Sequence, residues 1–344
     1  MTRLITYSQA ISEALVQGMD QDPNVFLFGL GVDDYKGVFG TTRAAFEKFG
    51  SKRVFDTPAS EGALTGVAIG AALNGKRPIL VHARNDFMFL TLDQMINNAA
   101  KWKYTYAGKS SVPIVVRGII GKGWGQGPTH SQSIQSVVAH FPGLIVAMPS
   151  NPYDAKGIIL ESLRARAPVV ILEHRALYDL KGDVPQESYR VDFAKAKVVR
   201  IGKDISVVAA SVMVQEALKA AEALSARGVE LEVIDPVTIQ PLDKKAILES
   251  LKKTGRLICA DTSWANCGFS AEVAAVAAEE GFEFLKAPVR RVTLPPAPCG
   301  VSKVLEDAFY PSYQNIIKES CRLLNLEWDF VPDSLTVNTF TGPY

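Results

Sequence analysis

The sequence predicts an α/β protein of two domains, a larger parallel-sheet domain followed by a smaller α/β domain. Three observations carry this. Short β-branched runs alternate with helical stretches along the chain, which is the pattern of parallel strands covered by helices. The alternation halts once, across 178–200, and then resumes. The length of 344 residues is enough for two domains with cores of their own.

The elements follow in order. Val-Phe-Leu-Phe-Gly at 25–29 is a continuous apolar run and reads as a buried strand. The next clear element is a helix over 61–73, with Ser60 as its N-cap and Gly75 as its stop. Gly62, Gly66 and Gly70 lie four apart on it and form a smooth stripe suited to close packing of another backbone. Further strands are expected at 79–82, 114–117, 144–148 and 169–173, with helices at 91–107 and 153–165. The segment 179–200 is polar, carries Gly182, Asp183 and Pro185, and reads as a linker between a first domain, 1–178, and a second, 201–326. In the second, strands at 205–209, 231–234, 256–260 and 289–293 alternate with helices at 213–226, 243–253 and 269–280. A tail, 327–344, is aromatic and contains prolines.

Lys and Arg total 37 against 36 Asp and Glu, so the chain lacks the basic excess of a nucleic-acid surface. The cysteines, Cys259, Cys267, Cys299 and Cys321, form no C-x-x-C pair and have no histidine cluster beside them. They read as reduced thiols, with no metal site on this chain. No apolar run approaches the roughly 20 residues of a membrane span, and the N-terminus has no long apolar signal region. A cytoplasmic protein is expected.

Three side chains stand out chemically. Glu61 opens the glycine-studded helix, where a carboxylate either complements the helix dipole or faces a ligand. Phe87, in Arg84-Asn-Asp-Phe-Met-Phe, follows a strand end, where ligands gather in open α/β sheets; core packing is the other reading. His130 follows the glycine-rich Gly121-Lys-Gly-Trp-Gly-Gln-Gly-Pro-Thr. That loop is not a Walker loop, because the Lys-Ser/Thr ending is missing. A histidine there titrates near neutrality and can donate to a carboxylate or oxyanion, or it is structural. Asp86 is expected to cap or brace its turn, and His140 to be structural.

Asp56-Thr57-Pro58-x-Ser60-Glu61 before a glycine-rich helix resembles the β subunits of thiamine-diphosphate-dependent 2-oxo acid dehydrogenases of the pyruvate and branched-chain type, within the transketolase-like superfamily. Asp22-Pro-Asn-Val-Phe-Leu-Phe-Gly, Asp86-Phe87, Asp93-Gln-Met-Ile-Asn-Asn-Ala-Ala-Lys, Thr129-His130-Ser131-Gln132, Pro142-Gly-Leu, Asp154-Ala-Lys-Gly, Pro168-Val-Val-Ile-Leu-Glu and Gly268-Phe-Ser-Ala-Glu add to it, over roughly residues 4–325. The resemblance implies a pyrimidine-binding first domain and a transketolase-C-terminal-like second domain. It implies that Glu61 binds the ring nitrogen of the cofactor's aminopyrimidine, that Phe87 lies against the face of that ring, and that His130 faces the thiazolium and substrate.

The superfamily's Gly-Asp-Gly segment, which serves Mg²⁺ and diphosphate, is missing here. The resemblance therefore implies an α partner that completes the thiamine diphosphate and Mg²⁺ sites in an α₂β₂ heterotetramer, with a lipoyl acyltransferase as acyl acceptor. Two other readings of the same residues are half of a split transketolase-like ketol or acyl transferase and a non-catalytic scaffold. Departures mark a divergent member. Gly29-Leu30-Gly31-Val32 replaces the family's Gly-Glu-Asp-Val or Gly-Glu-Glu-Val, Pro298-Cys299-Gly300 replaces Pro-Tyr, and His82 departs from the usual acidic or aromatic choices.

Overall fold

The computed structural model describes residues 2–121 and 125–328. The centre of the glycine loop, 122–124, and the tail from 329 onward lie outside the described residues. Two compact units meet in the chain at Phe193 and Ala194.

The first unit carries β1 (Thr2–Thr6), β2 (Val25–Gly29), β3 (Val54–Phe55), β4 (Arg77–His82), β5 (Val115–Ile120), β6 (Ile145–Ala147), β7 (Val169–His174) and β8 (Lys181–Pro185). Six of these form a parallel array in the order β6-β7-β5-β4-β2-β3. Every residue of β5 and β7 is buried, as expected where helices cover both faces of a parallel sheet. The chain runs from β2 to β3 on one side and then to β4 on the other. That reversal opens a crevice at the carboxyl ends of β2 and β4.

Gly29, the last residue of β2, has φ of +147°, and a Cβ there would lie 2.3 Å from the Val81 carbonyl oxygen. Only glycine lets the two strand ends approach this closely. The helix Glu61–Leu73 has Ser60 at its N-cap position, but the Ser60 side chain makes no capping bond. Gly62 packs within the chain, its Cβ position 3.0 Å from the Leu90 carbonyl oxygen, whereas nothing lies within 4 Å of that position at Gly70. Only part of the glycine stripe is therefore open. The outward side of the helix shows Ala63, Val67 and Gly70.

The expected helix 91–107 is three pieces: a 3₁₀ stretch Asn85–Thr91, a π-helical stretch Asp93–Ala100 and an α-turn Lys101–Thr105. A helix at Tyr7–Gln21, closed by a Thr6–Gln9 capping box, precedes β2. Residues read as a linker are structured at both ends. Lys181–Pro185 pairs antiparallel with Thr2–Thr6, and Lys197–Arg200 pairs with a strand of the second unit. Both are short and largely solvent-facing, with only Val184 buried, so they have the polar composition of a loop.

The second unit carries β9 (Lys197–Arg200), β10 (Ile205–Ala209), β11 (Leu231–Asp235), β12 (Thr238–Gln240), β13 (Leu257–Trp264) and β14 (Arg290–Leu294). Its sheet runs β14-β13-β10-β11-β9 and is mixed, because β9 is antiparallel to β11. The helix Tyr313–Leu324 packs Ile316, Ile317, Cys321 and Leu323 into its core. Trp328 adds to that core and lies under the Arg227 guanidinium, 4.1 Å from the ring centroid. The cysteines are free thiols; Cys267 is exposed and the others are buried, Cys299 against Leu294, Phe309 and Tyr310. Among the described residues no helix is long and apolar enough to cross a membrane.

Candidate active site

The crevice at the ends of β2 and β4 is a cavity of about 280 Å³. Its wall is built from three chain segments that the topology gathers: Gly29 and Leu30 after β2, Thr57 to Leu64 after β3, and Leu80 to Phe87 at the end of β4. His130 closes it from a fourth segment. The structure thus brings Glu61, Phe87 and His130 together. Glu61 is half-buried at the first turn of its helix, so its carboxylate lies at the positive helix end. Phe87 is 38% exposed and presents a flat face.

The His130 ring meets Phe87 edge-on, with centroids 5.5 Å apart and an interplanar angle of 88°. Its Nδ1 is 2.9 Å from the Thr129 hydroxyl, which leaves Nε2 for another partner. The His130 carbonyl accepts from the buried Arg175 guanidinium at 2.8 Å. Asn85 and Asp86 lace the Phe87 turn to this segment. Asn85 Nδ2 donates to the Gln132 carbonyl at 2.8 Å and to Asp86 Oδ2 at 3.2 Å, and Asp86 Oδ1 accepts the Gln132 backbone N–H at 3.2 Å. Burial pushes the Asp86 carboxyl above its usual range, opposed by the Gln132 hydrogen bond. His140 is exposed and stacks edge-on against Phe141.

Leu30, which stands where the family has an acid, is 51% exposed at the cavity edge. Asp33 and Asp34 do not reach the cavity wall; Asp33 accepts from the Asp56 N–H and Asp34 from the Lys36 N–H. Two further wall residues are Thr57, from the motif before Glu61, and His82, which departs from the family's usual choices. Thr57 and His82 are buried, and Thr57 Oγ1 and His82 Nε2 have no hydrogen-bond partner among the described residues. Burial lowers the His82 pKa to about 4, so its ring is neutral at neutral pH.

Comparison with known proteins agrees with this architecture. Residues 3–181 match the transketolase pyrimidine binding domain and residues 194–316 the transketolase C-terminal domain. The chain is 41% identical over 336 residues to the acetoin:2,6-dichlorophenolindophenol oxidoreductase subunit beta of Bacillus subtilis, covering 94% of this chain and 98% of that protein. The chain belongs to the β-subunit family of the thiamine-diphosphate-dependent 2-oxo acid dehydrogenases. A second family member, the mitochondrial pyruvate dehydrogenase E1 component subunit beta of Homo sapiens, is 39% identical over 327 residues, 94% of this chain and 91% of that one. A solved split gene transketolase, described as an inactive beta4 tetramer, superposes with a TM-score of 0.76 at 21% identity, over 94% of this chain and 99% of that one. That likeness concerns the fold.

For a β subunit of this family, the cavity has the character needed to seat one planar heterocycle. Leu64, Leu80 and Val81 give it apolar walls, Phe87 an aromatic face, and Glu61 a carboxylate acceptor.

Proposed function

We propose that this chain supplies the aminopyrimidine half of a thiamine diphosphate site, and that with an α subunit it oxidatively cleaves a small 2-oxo acid or hydroxyketone. The observation that carries this is the convergence of Glu61, Phe87 and His130 on one cavity at the switch point of the first sheet. Bound thiamine diphosphate would supply an acidic carbon that adds to a carbonyl and takes up the electrons of the broken carbon–carbon bond. Glu61 would hold a proton at the pyrimidine ring nitrogen. Its hydrogen bond gains strength in a cavity that Leu64, Leu80, Val81 and Phe87 line on one side. Phe87 would fix the plane of the ring. His130 would use Nε2, since Nδ1 is engaged by Thr129, to orient the substrate or protonate at its carbonyl oxygen.

The Mg²⁺ and diphosphate would be held by the α chain, in keeping with the subunit names of the relatives. The outward face of Ala63, Val67 and Gly70, with Val67 58% exposed, would be a contact in an α₂β₂ assembly. A lipoyl acyltransferase would take the acyl group.

The test is co-purification with the α chain, followed by an assay of thiamine-diphosphate-dependent reduction of 2,6-dichlorophenolindophenol. Acetoin and pyruvate, the compounds in the relatives' names, are the substrates to offer. Turnover is expected with the wild type. A pair that neither binds thiamine diphosphate nor turns over either compound would overturn the reading.

A further inference from the structure

β7 ends at His174, and a single 3₁₀ turn, Arg175–Leu177, carries the chain away from it. The His174 ring caps that turn, its Nδ1 accepting the Ala176 N–H at 3.3 Å. Beside it β5 ends at Ile120, which pairs with His174, and the glycine segment that leads to His130 begins at Gly121. Gly121 has φ of +91°, and a Cβ there would lie 2.1 Å from His174 Nε2. A glycine is required for the segment to leave the sheet across that ring.

Arg175 is buried, and its guanidinium reaches both ends of that segment. Nε donates to the Ile120 carbonyl at 3.4 Å and Nη2 to the His130 carbonyl at 2.8 Å. A second set of bonds holds the same stretch two residues on, where the Gln132 carbonyl accepts from Asn85 and the Gln132 N–H donates to Asp86. Burial raises the Asp86 carboxyl, and the Arg175 charge is among the influences that oppose it, so the two anchors lie close together. With its backbone held in this way, the His130 ring meets Phe87 edge-on at the cavity.

We infer that Arg175 is a positioning residue: by tying the His130 carbonyl to the end of β5, it fixes where His130 presents Nε2 to the substrate. This rests on the role proposed for His130 in thiamine diphosphate chemistry. A group that orients or protonates a substrate must be placed to a fraction of an ångström, and a run rich in glycine does not supply that precision. Arginine does, because its donors sit in a rigid planar fork, so two carbonyls bound to one guanidinium keep a fixed separation. A lysine offers one nitrogen on a flexible stem. Arg175 itself is not part of the cavity wall. Its effect therefore falls on the step that uses the substrate, and not on cofactor activation by Glu61.

The experiment uses the complex of this chain with its α subunit, loaded with magnesium thiamine diphosphate and assayed on acetoin and pyruvate with 2,6-dichlorophenolindophenol. It compares wild type, Arg175→Lys, Arg175→Met, His130→Ala and the double variant of Arg175→Lys with His130→Ala. Thermal unfolding and proton exchange at the acidic carbon of the bound cofactor are recorded for each. Arg175→Lys keeps the charge and loses the fork, so kcat should fall about tenfold; Arg175→Met loses the donors as well and should fall about a hundredfold. Cofactor exchange and the unfolding temperature of Arg175→Lys should match wild type.

The double variant is the decisive arm. If Arg175 acts through His130, Arg175→Lys should cost nothing further once His130 is alanine, because residues that act as a unit are not additive. Wild-type turnover in both Arg175 variants would overturn the inference. So would losses that add to that of His130→Ala, or that come with slower cofactor exchange and lower unfolding temperature, since either marks a structural role independent of His130. A wild-type complex that neither binds thiamine diphosphate nor turns over either compound would instead overturn the proposed function.

Discussion

The two sheets reverse strand order in the same way, and their carboxyl ends could hardly differ more. In the first unit the chain beyond β2 and β4 places the exposed Leu30 and Phe87 and the half-buried Glu61 and His130 around a cavity. In the second, β10 has β11 on one side and β13 on the other, and many of the polar residues near those ends are buried, although Asn266 and Cys267 beyond β13 are exposed. Ser211, Asp235, Asp261, Thr262, Ser263 and Ser270 are all buried. Ser211 has a left-handed φ of 54°, and Ser263 donates to Asp261 within the cluster. A topological switch point is thus an opportunity for a site, and the side chains at the strand ends decide whether it is taken.

The largest expected effect breaks the first switch point at its backbone. Gly29→Val places a side chain 2.3 Å from the Val81 carbonyl oxygen at a φ of +147°, combining strain and overpacking. A loss of about 4 kcal/mol is expected by denaturant unfolding. Stability within 1 kcal/mol of wild type, an estimate of ordinary surface tolerance, would show that the strand ends can separate.

The next effect tests how dry the cavity wall is. The folded His82 pKa is about 4 against an ordinary 6.5, so in that window the unfolded chain binds a proton that the folded chain does not. Its contribution is full above 6.5 and is lost as pH falls toward 4, by about 3 kcal/mol. His82→Gln removes the titration. Unfolding curves at neutral pH and near pH 4 should therefore show a smaller acid-induced loss in the variant. Equal losses would mean that water reaches the ring.

Sequence alone shows much of this difference and hides some of it. The helix 61–73 was readable from its apolar, alanine-containing run between a cap residue, Ser60, and a stop, Gly75, and its bounds agree with the structure. The strand Val25–Gly29 was readable from its unbroken apolar run. The pairing of Thr2–Thr6 with Lys181–Pro185 was not, since nothing local marks a contact across most of the first unit. The division of 85–105 into 3₁₀, π and α pieces has no mark in the local apolar pattern. Glu61, Phe87 and His130 stood out by residue type and position. Thr57 lies in the quoted motif and His82 is a visible departure from the family's pattern, but their burial without a partner is a property of the assembled wall.

A smaller effect concerns the open side of the cavity. Phe87→Ala removes the flat face and should weaken thiamine diphosphate binding by the α–β complex about tenfold, since an aromatic contact contributes roughly 0.5–1.5 kcal/mol beyond its area. Phe87→Tyr keeps the face and should bind within about threefold of wild type. Equal binding by the Ala variant would assign Phe87 to subunit packing.

The smallest effect is expected at Leu30. At 51% exposure, an acid there stays solvated, so Leu30→Glu should change stability by no more than about 0.5 kcal/mol in thermal or denaturant unfolding. A loss of several kcal/mol would place Leu30 in a dry contact in the assembled protein.

The most direct measurement of the central claim is proton exchange at the acidic carbon of thiamine diphosphate bound to the α–β complex. It is followed by deuterium incorporation after rapid quench, in wild type and Glu61→Gln. Glu61 as the proton-holding group at the pyrimidine nitrogen predicts exchange slower by about 10²–10⁴-fold in the variant, with unchanged unfolding. Wild-type exchange rates in a folded, cofactor-loaded Glu61→Gln complex would contradict it and leave Glu61 as a helix-end charge only.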